Sequence, residues 1–347
     1  MLSPSMVQAR QLHVWRSVAI RELTTEHFVI IQQTELVRGA DLRGLGRRAE
    51  GAYRHLRTIL RLPECDAPVR VEVLEESGGI SGSAEGIAIT PRYVCAGRGH
   101  QVFKHELIHV LTARSWGYAN ACLREGLAYH LTRTGGLSYR PHAPSAPEHR
   151  ASGEVSIARY RGWRNDWVFL AASDGQLPRL AELQLPQYFW ALNRFARTDL
   201  DRYVSVSAAA SFTEHLLNQH TFDQYRTLYR ALGEHLGSAP ASWLTEPIER
   251  IFHETLGTCL DAVMQSWLRF AEHRGTRDGL VQSHYHELRQ RAGQLSRPGS
   301  EANCWVCGHW WREHERKCPA CGGSRRGRSE AALCRCGVCR NGEVNEP

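Results

Sequence analysis

Residues 104–110 read KHELIHV, and within them His105, Glu106 and His109 have the types and spacing of a divalent-metal hydrolase site. On an α-helix, positions four apart share one face, so the two imidazoles can converge on one ion about one turn apart. Glu106 lies about 100° further round the helix than His105, where its carboxylate can reach an attacking water without ligating the metal. Metal-assisted peptide hydrolysis needs this division of labour between ligands and base. The chain carries its own contrasts: His253-Glu254 and His286-Glu287 also fall on helical stretches, and neither is followed by a histidine three residues later.

Two histidines leave a catalytic zinc under-ligated, because such a site takes three protein ligands and keeps the fourth position open. Glu125, in NACLREGLAYHL, is the first candidate. If the first helix runs a few residues past His109, turns through Trp116, Gly117 and Tyr118, and restarts with Asn120 as N-cap, an antiparallel second helix returns Glu125 to the level of His109. His130, five residues further on, is the rival ligand. A metzincin third ligand would require glycine at 112 and histidine at 115, where the chain has Thr112 and Ser115.

HELIHV followed by LREGLAYHL resembles the gluzincins, specifically the bacterial peptidase-MA-like group related to thermolysin and aminopeptidase N. The resemblance runs over about residues 14–273, through RELTTEHFVI, VRVEVL and GIAIT upstream and the helical stretches SFTEHLLNQHTFDQYRTLYRAL and IFHETLGTCLDAVMQSWLRFAEH downstream. It implies His105, His109 and Glu125 as zinc ligands, Glu106 as general base, and a peptide or protein substrate. It also suggests Tyr203 as a hydrogen-bond donor to the developing oxyanion. Cys122 stands where relatives carry tryptophan, on the face of Glu125. The Gly-x-Met-x-Asn strand of aminopeptidase N has no counterpart near SAEGIAIT. Residues 86–90 are expected to offer an edge strand for an extended peptide.

A second metal chemistry stands at the C-terminus. Cys304-x-x-Cys307 and Cys318-x-x-Cys321, each followed by glycine, form two knuckles able to close a tetrahedral zinc site of the ribbon type. Cys334, Cys336 and Cys339 add three thiolates that can hold a second ion with His309 or His314, so one or two structural zinc ions are expected besides the catalytic one. A module this small relies on metal for its fold, and it could recruit a nucleic acid or a protein.

The elements that must position these groups give an α+β chain. Strands are expected over 14–33, 69–74 and 86–90, with a helix over 41–61; from residue 101 the period becomes helical, at 101–114, 120–132, 186–197, 204–218, 222–235, 243–256 and 258–273. Residues 134–164, without period and rich in proline, read as a long loop. The domains that follow are a peptidase domain over 12–275, with a strand and helix lead-in to 99 and a helical catalytic part from 100; a polar linker over 276–303, with a helix expected over 281–295; and a cysteine-rich module over 304–347.

The net charge of +7 is carried almost wholly by arginine, since Lys104 and Lys317 are the only lysines, and it forms no strong nucleic-acid stripe. Neither a signal-peptide core nor a membrane span is legible, and the paired cysteines point to metal rather than disulfides, so the expected setting is the cytoplasm. Two other readings share the motifs: an SprT-like intracellular protease acting on DNA-associated proteins, with a histidine as third ligand, and a non-enzymatic adaptor built on an inactive peptidase-like scaffold.

Overall fold

The computed structural model of the chain describes residues 21–75, 81–94, 98–117, 120–132, 157–178, 180–184, 199–237 and 246–295, with short strands at 302–303 and 310–311. It is an α+β structure, mainly helical, with a five-stranded sheet near the N-terminus. Two units divide it, residues 1–115 and 116–347.

In the first unit, β-branched residues build the centre of the sheet. Strands β2 (Phe28–Gln32), β3 (Val69–Val73) and β5 (Gly86–Ile89) run parallel, with Ile30 opposite Val71 and Val71 opposite Ile87. β1 (Arg21–Thr24) adds antiparallel to β2 and β4 (Ser81–Gly82) antiparallel to β5, giving the order β1-β2-β3-β5-β4. Residues 86–89 are therefore interior rather than an edge, because β4, too short to carry a periodic signal, takes the outer position. The expected 14–33 strand is two strands split by a turn in which Thr25 N donates to Phe28 O at 2.8 Å, and residues 14–20 lie outside the described residues.

Helix α1 (Gly39–Ile59) buries Leu42, Leu45, Ala49, Ala52, Tyr53 and Leu56 at three- and four-residue spacing. A Cβ on Gly46 would stand 3.1 Å from Leu23 Cδ2, so the missing side chain lets α1 rest against β1. Helix α2 (Arg98–Trp116) buries Phe103, whose ring lies 6.1 Å from that of Phe28. Its last turn is tied to the sheet by Arg114, which donates from Nε to Ala84 O at 2.8 Å and from Nη1 to Ala67 O at 2.9 Å.

The second unit is a helical assembly: α3 (Ala121–Leu131), α4 (Ile157–Ser173), α5 (Leu180–Gln184), α6 (Asp199–Gln219), α7 (Phe222–Gly237), α8 (Glu246–Leu256), α9 (Leu260–Arg274) and α10 (Gly279–Leu295). α6 is its centre, buried almost throughout from Leu200 to Leu216, and packs on both α3 and α4. Small residues allow the close approach. A Cβ on Gly126 would stand 2.4 Å from both Ala209 O and Thr213 Oγ1, so α3 and α6 meet backbone to backbone there.

One expectation changes here. Residues 157–164, read as the end of a loop, are the first turns of α4, and α4 escapes a periodicity reading because its inward face is polar. Arg164, Asn165 and Asp166 are all buried, with Asn165 Oδ1 accepting from Ser211 Oγ at 2.6 Å and Asp166 accepting from Thr276 Oγ1 at 2.6 Å. Within 276–303, read as a polar linker with a helix over 281–295, the structure has α10 at Gly279–Leu295, which inserts Val281, Tyr285 and Leu288 into the cluster of Trp167, Ala171, Leu200 and Val204. The expected helix at 186–197 lies outside the described residues. No helix among the described residues is long and apolar enough to cross a membrane.

Candidate metal centre

Within α2, His105, Glu106 and His109 are 7%, 8% and 6% exposed, a burial that three polar side chains sustain only when engaged. The two imidazoles, one turn apart, meet edge to face with ring centroids 4.7 Å apart and planes at 90°. Thr112, at the position where a metzincin has glycine, turns its hydroxyl back on the helix and donates to Ile108 O at 2.8 Å. The edge strand β4 comes up to the same helix, since a Cβ on Gly82 would stand 2.5 Å from Glu106 O.

Helix α3 starts as its sequence requires. Asn120 caps it, accepting from Leu123 N at 2.9 Å through Oδ1, while its Nδ2 donates to Gln184 Oε1 at 2.5 Å. One turn on, Glu125 is 6% exposed. His105, His109 and Glu125 each offer one ligand atom, and the three atoms lie within 4.8 Å of one another. Three points so spaced fit a circle of radius at most about 2.8 Å (4.8/√3), which small side-chain rotations contract to the about 2.0–2.2 Å that nitrogen and oxygen keep from zinc. Two imidazoles and a carboxylate are also the donor set that suits zinc. The residues present therefore fit a divalent ion.

His130 is half-buried on the last turn of α3, and it is Glu125 that completes the group with His105 and His109. Cys122 is fully buried, and burial pushes its thiol up to about 12, so it packs as a small protonated group. Tyr203, on the first turn of α6, stacks on Trp167 at 5.0 Å and 12° and meets the edge of His284 at 5.5 Å, in the cluster that α10 completes. Cys304, Cys307, Cys318, Cys321, Cys334, Cys336 and Cys339 lie outside the described residues. Strands β6 (Ala302–Asn303) and β7 (Trp310–Trp311), which pair antiparallel, flank the first two of them in sequence.

Two arrangements were missed in the sequence. Arg124 Nη2 stands 3.5 Å from Glu125 Oε1; the arginine is plain in the sequence, but helix neighbours ordinarily diverge and nothing there signals the contact. A second group, Glu26, His27 and Glu50, also lies within 4.8 Å. Its chemistry differs: His27 Nδ1 is 2.7 Å from Glu50 Oε2 and Nε2 is 3.0 Å from Glu64 Oε1, so both ring nitrogens face carboxylates and both must carry protons. Burial alone would lower the His27 imidazole, but the hydrogen bonds of Glu50 and Glu64 and the charges of Glu50 and Glu26 outweigh it and raise it above its ordinary value. This is an ion-paired tie between the β1–β2 turn and α1. Residues scattered from 26 to 64 give no local pattern by which to foresee it.

No protein-family model, curated protein or solved structure matches the chain.

Proposed function

We propose that the chain is a zinc-dependent peptidase of the gluzincin type, with His105, His109 and Glu125 as ligands and Glu106 as general base. The observation that carries this reading is the convergence of two buried histidines, one turn apart, with a buried glutamate from the following helix. Glu125 in the third position, rather than His130, favours the gluzincin reading over the SprT-like one.

Zinc in that position would polarise the scissile carbonyl and acidify water. Glu106, one residue from a ligand, takes the proton from the attacking water on its carboxylate and returns it to the leaving amine. An extended substrate would pair along β4, the sheet edge whose Gly82 lies against the Glu106 backbone. Tyr203 is proposed as the oxyanion donor through its hydroxyl, while its stack on Trp167 engages only the ring. Tyr203→Phe separates the two: loss of kcat with unchanged thermal stability assigns the hydroxyl to chemistry. The cysteine-rich tail would hold one or two further zinc ions and recruit a protein or nucleic-acid partner.

Glu106→Gln is the test of the whole reading. The variant should keep its metal and lose peptide hydrolysis by at least about a hundredfold. Hydrolysis at the wild-type rate would remove Glu106 from the mechanism, and a wild-type chain without metal at His105 and His109 would remove the site.

A further inference from the structure

On another face of α2, away from the candidate metal-binding histidines, basic groups gather without an ion-pair partner among the described residues. His100 and Lys104 stand one turn apart on the same side of the helix, both half-buried. Arg48, from α1, reaches the start of this helix: its Nη2 donates to Val94 O, and Tyr93 next to it lies under the first turn of α2, where a Cβ on Gly99 would be 2.8 Å from Tyr93 O. Arg48 Nε and His100 Nδ1 are both buried and have no hydrogen-bond partner. Neither Arg48 nor Lys104 forms an ion pair among the described residues.

Fully solvated surface cations need no explanation, but these groups are half-buried and His100 faces two like charges. Burial lowers the His100 imidazole, and the charges of Lys104 and Arg48 lower it further, so both cations act on His100. In a chain with 43 basic residues, only two of them lysine, one lysine stands at this spot. Half-buried cations without a counter-charge are a cost that a bound anion would offset.

We infer that Arg48, His100 and Lys104 form a binding site for a phosphate group, free or carried as a monoester on a small molecule. The Arg48 guanidinium and the Lys104 ammonium match a dianion by charge, the guanidinium Nε–H and the ammonium supply donors, and the imidazole adds another in its Nδ1–H tautomer. The site is separate from the proposed metal centre and does not depend on peptidase activity.

The test uses the full, zinc-loaded chain titrated with inorganic phosphate and, separately, with O-phosphoserine. Binding is followed by calorimetry and by the His100 ring-proton NMR signal. Saturable binding that moves the His100 signal is expected, and the tighter of the two ligands identifies the source of the phosphate. Lys104→Gln and Arg48→Gln should each weaken binding about tenfold, with zinc content unchanged. Lys104→Arg, which keeps the charge, should retain binding and guards against a folding defect. Non-saturable binding, equal affinity in the neutralised variants, or loss of phosphate binding in Glu125→Gln, which would place the anion on the metal, each overturns the assignment.

Discussion

Arg124 and Glu125, neighbours on α3, hold opposite charges 3.5 Å apart, with the carboxylate 8% exposed and the guanidinium 28% exposed. That distance exceeds an ordinary N–H···O bond, so the arginine acts on its neighbour by charge more than by orientation. If Glu125 ligates zinc as proposed, a cation beside it draws off negative charge that the carboxylate would otherwise offer the ion. Arg124→Gln should therefore tighten zinc binding at His105, His109 and Glu125 by about two- to fivefold, the scale of a partly exposed ion pair. Competition with a chelator of known affinity measures it, and weaker binding would show that the arginine instead orients the carboxylate.

Glu125 and His130 make opposite predictions for metal content. Glu125→Ala should lower zinc by about one ion per chain, and His130→Ala should leave it unchanged. The reverse result would assign the third ligand to His130 and favour the SprT-like reading.

The contact of Gly126 with α6 leaves no room for a methyl group, and the obstacle is backbone as well as the Thr213 hydroxyl. Gly126→Ala should destabilise the chain by about 1–3 kcal/mol. Because Gly126 follows Glu125 directly, the same variant should lose zinc affinity. Unfolding by denaturant and zinc titration on one sample read both effects.

The tie of His27 to Glu50 gives stability a defined dependence on pH. His27 is raised above its ordinary 6.5, so its contribution is complete below pH 6.5 and fades as pH climbs through the raised value. Burial alone would raise Glu50, but hydrogen bonds from Thr25 and His27 bring it below its ordinary 4.5, so its share is complete above pH 4.5 and fades as pH falls through the lowered value. Both are complete between pH 4.5 and 6.5. His27→Gln should cost about 1.5–3 kcal/mol in that window and progressively less in alkali. Unfolding of both proteins across about pH 5 to 9 checks the sign, and a difference that grows with pH would contradict it.

The local features of the site were legible in the sequence because each is written in consecutive residues. The spacing of His105, Glu106 and His109 and the cap at Asn120 are short-range signals, and the structure has α2 over 98–116 and α3 over 121–131. What escaped depends on partners far away in the chain. α4 hides its helix because Arg164, Asn165 and Asp166 point inward, satisfied by groups such as Ser211 and Thr276 that no window around them contains. β4 is two residues long and exists only by pairing with β5, which in turn moves the sheet edge away from residues 86–89. Arg48, His100 and Lys104 look like ordinary surface charge until α1 and α2 are brought together.

α10 bears on where the chain can be shortened. A protein ending at residue 275 would strip Val281, Tyr285 and Leu288 from the neighbours they cover, exposing Trp167 and Val204 to water. It would also free Asp174 from Tyr285 and Arg289, which hold it at 3.1 and 2.6 Å. Removal of the cysteine-rich end without wounding the helical unit therefore begins after Leu295, and a protease that nicks the polar-looking stretch before it would cut into a buttress rather than a tether.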